Sequence, residues 1–123
     1  MNKTVTLEVL YRNEVLFTST GKWLYPLFDL EIFLAENNYP PEALTINDKI
    51  VGKASALLIL RLGCKTVKAG IISEPAERVF TKHAIVYSYT QRVPLISCKT
   101  ELILKEIDNA DEAYTILKAR AKR

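Results

Sequence analysis

The sequence predicts an α/β fold, a three-layer α-β-α sandwich around a mixed sheet of about five strands, and three observations predict it. The N-terminal stretch alternates Val5, Leu7 and Val9 with Thr4, Thr6 and Glu8, the period of a half-buried strand, and a second short strand follows a polar turn. Two strand–helix units then come in direct succession between residues 43 and 83. Strands alternating with helices at this spacing call for right-handed crossovers and a parallel sheet covered on both faces.

Taken in order, the turn at Arg12-Asn13 joins the first strand to a second over residues 15–19, giving a hairpin at one side of the sheet. Gly21 breaks the pattern, and Pro26 fits the first turn of a helix whose Leu27, Leu30, Ile32, Phe33 and Leu34 form a broad apolar face. That helix ends near Asn37-Asn38, because Pro40-Pro41 cannot continue it. A strand over residues 43–46 leads to a helix capped by Asn47 or Asp48 and stopped by Gly63. It is apolar around most of its circumference and so must be deeply buried, and Gly52 and Ala56, four apart, allow close approach of a neighbour. The second unit pairs a strand over residues 67–72 with a helix over residues 73–83. A strand over 85–89, an irregular stretch over 90–97, a last strand over 102–107 and a terminal helix from Glu112, capped from within residues 108–111, complete the reading.

The 123 residues make one domain, 1–123, long enough for a hydrophobic core without disulfides or metal. Lys plus Arg number 17 against 14 Asp plus Glu, a net +3 that is too small for the field of a dedicated nucleic-acid binder. Lys118, Arg120, Lys122 and Arg123 crowd the C-terminus, where they complement a helix dipole rather than form a nucleic-acid arm. The N-terminus has no apolar run of signal-peptide length and no stretch approaches the ~20 apolar residues of a membrane span, so a cytoplasmic protein is expected. Cys64 and Cys98 belong to no CxxC pair and read as free thiols. The sequence calls for no cofactor and leaves oligomeric state open, a homo-oligomer included.

The candidate site follows from two lysines at an unfavourable place. Lys49 and Lys53 fall in the first two turns of the predicted lysine-bearing helix, where the partial positive charge of the helix start makes each exposed cation unfavourable by roughly 0.3–1 kcal/mol. Something negative must offset them: Asp48, a carboxylate elsewhere in the fold, or a phosphate-like ligand at the helix start. In an open parallel sheet, strand ends and the helix starts after them lie along one edge. This places Asp48, Lys49 and Lys53 beside Ser73, Glu74 and Pro75, although hydroxyl cap, acid and preset φ also explain the latter three structurally. The candidate ligand-binding residues are therefore Asp48, Lys49, Lys53, Ser73 and Glu74. His83, the single histidine, suits the last turn of its helix as a surface cation. Cys98, beside Lys99, is a candidate reactive thiol, whereas Cys64 reads as a small core residue. Trp23 and Tyr25 flank a helix start and Tyr87 and Tyr89 alternate on a strand, which suits packing more than base stacking.

The strings DKIVGKASALLIL and AGIISEPAERVFTKHAIVYSY, followed by Cys98 and Glu101, resemble the family of unknown function 1893 over residues 11–107. The resemblance implies a cytidine-deaminase-like fold. Family members often carry Cys-Pro-Met-Glu where this chain reads Cys98-Lys99-Thr100-Glu101, so the better matches are Asp48, Lys49, Gly52, Lys53, Ser73 and Glu74. Zinc deaminases hold their metal with His or Cys at two helix starts. Here those starts offer Asp48-Lys49 and Glu74-Pro75-Ala76, with no thiolate or imidazole, so no metal site and no ordinary zinc deamination are expected.

The leading expectation is a cytoplasmic domain binding a small anionic, nucleotide-like ligand. A metal-independent enzyme in the same crevice is the second, with Asp48 or Glu74 moving protons, a lysine stabilising charge and Cys98 as nucleophile. A protein-interaction module without ligand is the third.

Overall fold

The computed structural model describes residues 4–96 and 99–123. Strands β1 (Leu7–Tyr11) and β2 (Glu14–Ser19) form the expected hairpin. Arg12 and Asn13 both adopt positive φ, 52° and 67°, the two-residue turn whose twist matches that of the paired strands. Helix α1 (Tyr25–Glu36) has Pro26 in its first turn and ends at Asn37, ahead of the Pro40-Pro41 pair. It buries Pro26, Leu27, Phe28 and Leu30, while Ile32 faces outward.

A one-turn 3-10 segment, Pro41–Ala43, leads into β3 (Leu44–Val51), α2 (Lys53–Leu62), β4 (Thr66–Ser73), α3 (Glu74–Lys82) and β5 (Val86–Val93). Two helices finish the chain, the short α4 (Lys99–Ile103) and α5 (Ala110–Ala121). The five strands form one mixed sheet in the order β2-β1-β3-β4-β5. β1 runs antiparallel to β2 and β3, and β3, β4 and β5 are mutually parallel. The hairpin thus occupies one side of the sheet and the strand–helix units the other, as the sequence predicts.

Burial is deepest at α2, where Lys53 to Ile59 are all buried without a break. Seven consecutive buried residues cover two full turns, so the helix is enclosed on every side. Three layers achieve this: the sheet, α2 with α1 and α3 beside it, and α5 packed against α2. Gly63 ends α2 in the left-handed conformation, φ 88°, and its N–H donates to the Leu60 carbonyl at 3.0 Å.

Three boundaries depart from the sequence reading. The strand expected to stop at residue 46 continues to Val51, so Asp48 and Lys49 are strand residues and the N-cap of α2 is Gly52 rather than Asn47 or Asp48. Pairing on both sides extends it: Leu7 lies opposite Asp48, the Lys49 N–H donates to the Thr6 carbonyl at 3.1 Å, and Val51 pairs with Ile72 of β4. Likewise β5 continues past Tyr89 to Val93, because β4 offers partners as far as Ser73. The strand expected over residues 102–107 is instead the end of α4 and a turn, in which Leu104 is buried and Leu102 is exposed.

Candidate functional site

The parallel strands β3 and β4 end at one edge of the sheet, and α2 and α3 begin there. Helix α4 and the residues after β5 lie across the start of α2, and two cavities open on either side of them. Ile96 and Glu101 line both.

The smaller cavity, about 330 Å³, lies between the start of α1 and the start of α2. Trp23, Leu24, Pro26 and Ala54 give it apolar walls, and Asp48, Lys49 and Ser55 are among its polar lining. Burial pushes the Asp48 carboxyl up to about 7, although the backbone N–H groups of Ile50 and Lys49 donate to it and favour its charged form. Glu101 is 6% exposed. Its Oε1 accepts long hydrogen bonds from the Lys53 and Ile96 N–H groups, both at 3.4 Å, so a residue of α4 supplies an anion to the α2 start. Its Oε2 is buried with no hydrogen-bond partner among the described residues. Gly52 is what lets this carboxylate approach, for a Cβ there would sit 2.8 Å from Oε1.

The larger cavity, about 880 Å³, lies between α3 and α4. Arg78 and Lys82 of α3, Lys99 of α4 and Lys105 beyond it bring four cations to its lining, with His83, the C-cap of α3, at the same wall. Among the described residues none of those four cations forms an ion pair. Lys53 reaches this cavity too, but its ammonium is already engaged: it donates to the carbonyls of Leu104 at 2.7 Å and Lys105 at 3.3 Å and pairs with Asp108 at 2.9 Å. Lys53 in turn lowers the pKa of Asp108. The anion that offsets Lys53 is thus a carboxylate elsewhere in the fold.

The residues expected to form one hollow are therefore distributed. Asp48 and Lys49 line the smaller cavity and Lys53 the larger. Ser73 is fully buried and caps α3, its Oγ accepting from the Ala76 N–H at 3.2 Å. Glu74 lines a shallow third depression with Glu77 and Arg92. There Glu77 ion-pairs with Arg92 and accepts from the Tyr87 hydroxyl at 2.8 Å, a network that ties α3 to β5. Cys98 lies outside the described residues. Cys64 is buried, and burial pushes its thiol up to about 12, the behaviour of an inert core residue. Among the described residues, no three of His, Cys, Asp and Glu gather so as to hold a metal ion, and the donor set of a zinc deaminase does not fit here.

Sequence reasoning missed Glu101 and the cations Arg78, Lys82, Lys99 and Lys105 as lining residues. Arg78 and Lys82 carry a readable signal, since residues four apart share one helix face. The others have none, because the turn that brings Lys99 and Lys105 opposite α3 is set by tertiary contacts.

A family model described as a domain of unknown function, DUF1893 (TM1506), matches residues 1–120. No curated protein matches the sequence. The fold is similar to the crystal structure of a DUF1893 family protein (TM1506) from Thermotoga maritima, with a TM-score of 0.82 and 25% identity over 96% of this chain and 82% of that one. No helix among the described residues is long and apolar enough to cross a membrane.

Proposed function

The chain belongs to the DUF1893 family, and from that starting point we propose that it is a cytoplasmic binding domain for a small anionic, nucleotide-like ligand held in the cleft between α3 and α4. The observation that carries this reading is the lining of that cleft, where Arg78, Lys82, Lys99 and Lys105 outnumber the carboxylates Glu101 and Asp108 and, among the described residues, form no close ion pair, Asp108 acting on Lys82 only at longer range. Like charges held around one concavity repel one another, and an anion bound among them relieves that repulsion. A volume of about 880 Å³ lies within the range of small-molecule sites. Lys53, its charge offset by Asp108, fixes the wall through Leu104 and Lys105, and Ser73 sets where α3 begins.

Thermal denaturation against pyrophosphate and a panel of nucleoside phosphates tests the reading. A ligand at a hundred times its Kd should add about 2.7 kcal/mol of apparent stability. The gain should shrink at high salt and be largely lost in Arg78→Ala/Lys82→Ala. A flat response across the panel, or an undiminished one in the double variant, rejects the proposal and favours an interaction module.

One observation favours a second reading, a metal-independent enzyme. A carboxyl in a cavity with a pKa near neutrality is suited to proton transfer, and Asp48 has that character. Turnover of a panel member that vanishes in Asp48→Asn while folding persists would establish it.

A further inference from the structure

Among the described residues, the long helices lie on one face of the sheet and leave the other bare. Helices α1 and α3 pack beside α2 and α5 packs onto it, all over the face to which Leu7, Val9, Ile46, Val67 and Ala69 point, and those five are buried. Residues paired across neighbouring strands share a face, and the residues between them point to the opposite one. On that opposite face Leu10, Thr45, Asn47 and Thr66 are only half-buried, and Val15, Lys68, Val86 and Ser88 are exposed. Antiparallel sheets commonly leave one face to water, but parallel strands such as β3, β4 and β5 are ordinarily covered on both.

Two rows cross the bare face at right angles to the strands. From β2 to β5 one runs Val15, Leu10, Thr45, Thr66 and Val86, and the next runs Thr18, Glu8, Asn47, Lys68 and Ser88. Strand β3 is the middle strand, so a two-fold axis lying along it over this face brings each row against its own reverse. Val15 and Val86, 54% and 69% exposed at opposite rims, then meet each other's copies. Leu10 meets Thr66, and Glu8 meets Lys68. Within one chain those two charges stand two strand spacings apart, about 10 Å, and among the described residues neither forms an ion pair. Asn47 donates to the Glu8 carboxylate at 3.0 Å and orients it. Lys49, which would meet its own copy near the axis, lies one row further on, where it lines the smaller cavity.

We propose that the bare face is an interface with a second copy of this chain, the two sheets packing face to face about a two-fold axis along β3, with Glu8 of each copy paired to Lys68 of the other. Sheets packed in this way stay within about 30° of alignment, which keeps the rows opposed near the axis. The contact is isologous and closes at two copies. Five strands about 4.8 Å apart and the length of β3 give a face of at most about 600 Å² per copy. A standard interface covers about 800 Å² per partner, so the dimer is a reversible one in the micromolar range. The cleft between α3 and α4 lies among the helices and stays open in it, so the dimer does not depend on any ligand of that cleft.

Sedimentation velocity of the intact chain over a concentration series, combined with charge exchange, tests this. The chain should associate to a dimer with a Kd on the order of 10 μM. Glu8→Lys and Lys68→Glu should each weaken the dimer about tenfold or more, because symmetry sets two pairs of like charges face to face. The double variant Glu8→Lys/Lys68→Glu restores opposite charges at both contacts and should recover the native Kd to within about threefold. Both side chains project from the sheet to solvent, and circular dichroism of each variant checks that it is folded. Should a charge variant not fold, Val86→Arg at the exposed rim carries the test and should likewise weaken the dimer. A chain that stays monomeric to about 1 mM overturns the proposal, since an interface that weak is no more than a chance contact. A dimer indifferent to the single reversals or to Val86→Arg places the association elsewhere and also overturns it, and a double variant no better than the single ones rejects the two-fold register.

Discussion

Asp48 shows how a residue's place changes its chemistry. Within β3 it lies opposite Leu7 and beside Ala69 of β4, and its carboxyl is desolvated enough to rise from 3.8 to about 7. A raised folded pKa means that the folded chain keeps a proton the unfolded chain releases. Below the unfolded value both states are protonated and nothing is lost. Between that value and about 7 the unfolded chain is ionised first, so stability falls as pH rises, and above it the full penalty of a desolvated carboxylate is present. Asp48→Asn removes the titration. Its stability relative to the native chain should therefore rise between about pH 4 and 7 by an amount on the order of a few kcal/mol and level off above. Urea denaturation at a series of pH values measures this directly, and parallel profiles for the two proteins would refute the assignment.

Among the elements, α4 depends most on partners distant in sequence. It is five residues long, and it and the turn after it meet the start of α2 through polar links, from the Lys53 N–H to Glu101 and from Lys53 Nζ to the Leu104 and Lys105 carbonyls. Lys53→Met keeps the buried stem but strands those carbonyls, so it should cost about 1–3 kcal/mol in thermal or chemical denaturation. Asp108→Asn should matter far less, because its side chain is 71% exposed and its pairing is screened by water. A neutral Lys53→Met would mean the ammonium does not anchor α4. The same contacts explain what could be read in advance. Helix α3 was legible because Ser73, Glu74 and Pro75 state its start locally, and the hairpin because Arg12-Asn13 states its turn. The β3–α2 boundary was not, since Asn47-Asp48 looks like a cap until β1 and β4 are known to pair beyond it. Of the site, sequence identified Asp48 and the misplaced charge of Lys53 but not its partner Asp108, for no local spacing links them. Glu101 stood in a segment that reads as a loop before a strand, so its burial against Gly52 had no local signal.

Across the whole molecule, these features divide the chain into a deeply enclosed centre and a thin outer wall. Helix α2 is covered by the sheet, α1, α3 and α5, so its Ala56–Ile59 amides should exchange with solvent only through global unfolding. Helix α4 lacks such cover and should open locally, with exchange on the order of 10²–10³ times faster. Hydrogen exchange by NMR resolves the two, and equal protection would contradict this division. Pyrophosphate makes the comparison decisive. If binding requires α4 in place, its opened form cannot bind, and ligand must raise protection at α4 by the same free energy as at α2, RT ln(1 + [L]/Kd). A cleft formed by α3 alone would instead raise protection at α2 and leave α4 unchanged. The equal increment is the expected outcome, because Lys99 and Lys105 reach the cleft only while Lys53 and Glu101 hold α4 and its turn against α2.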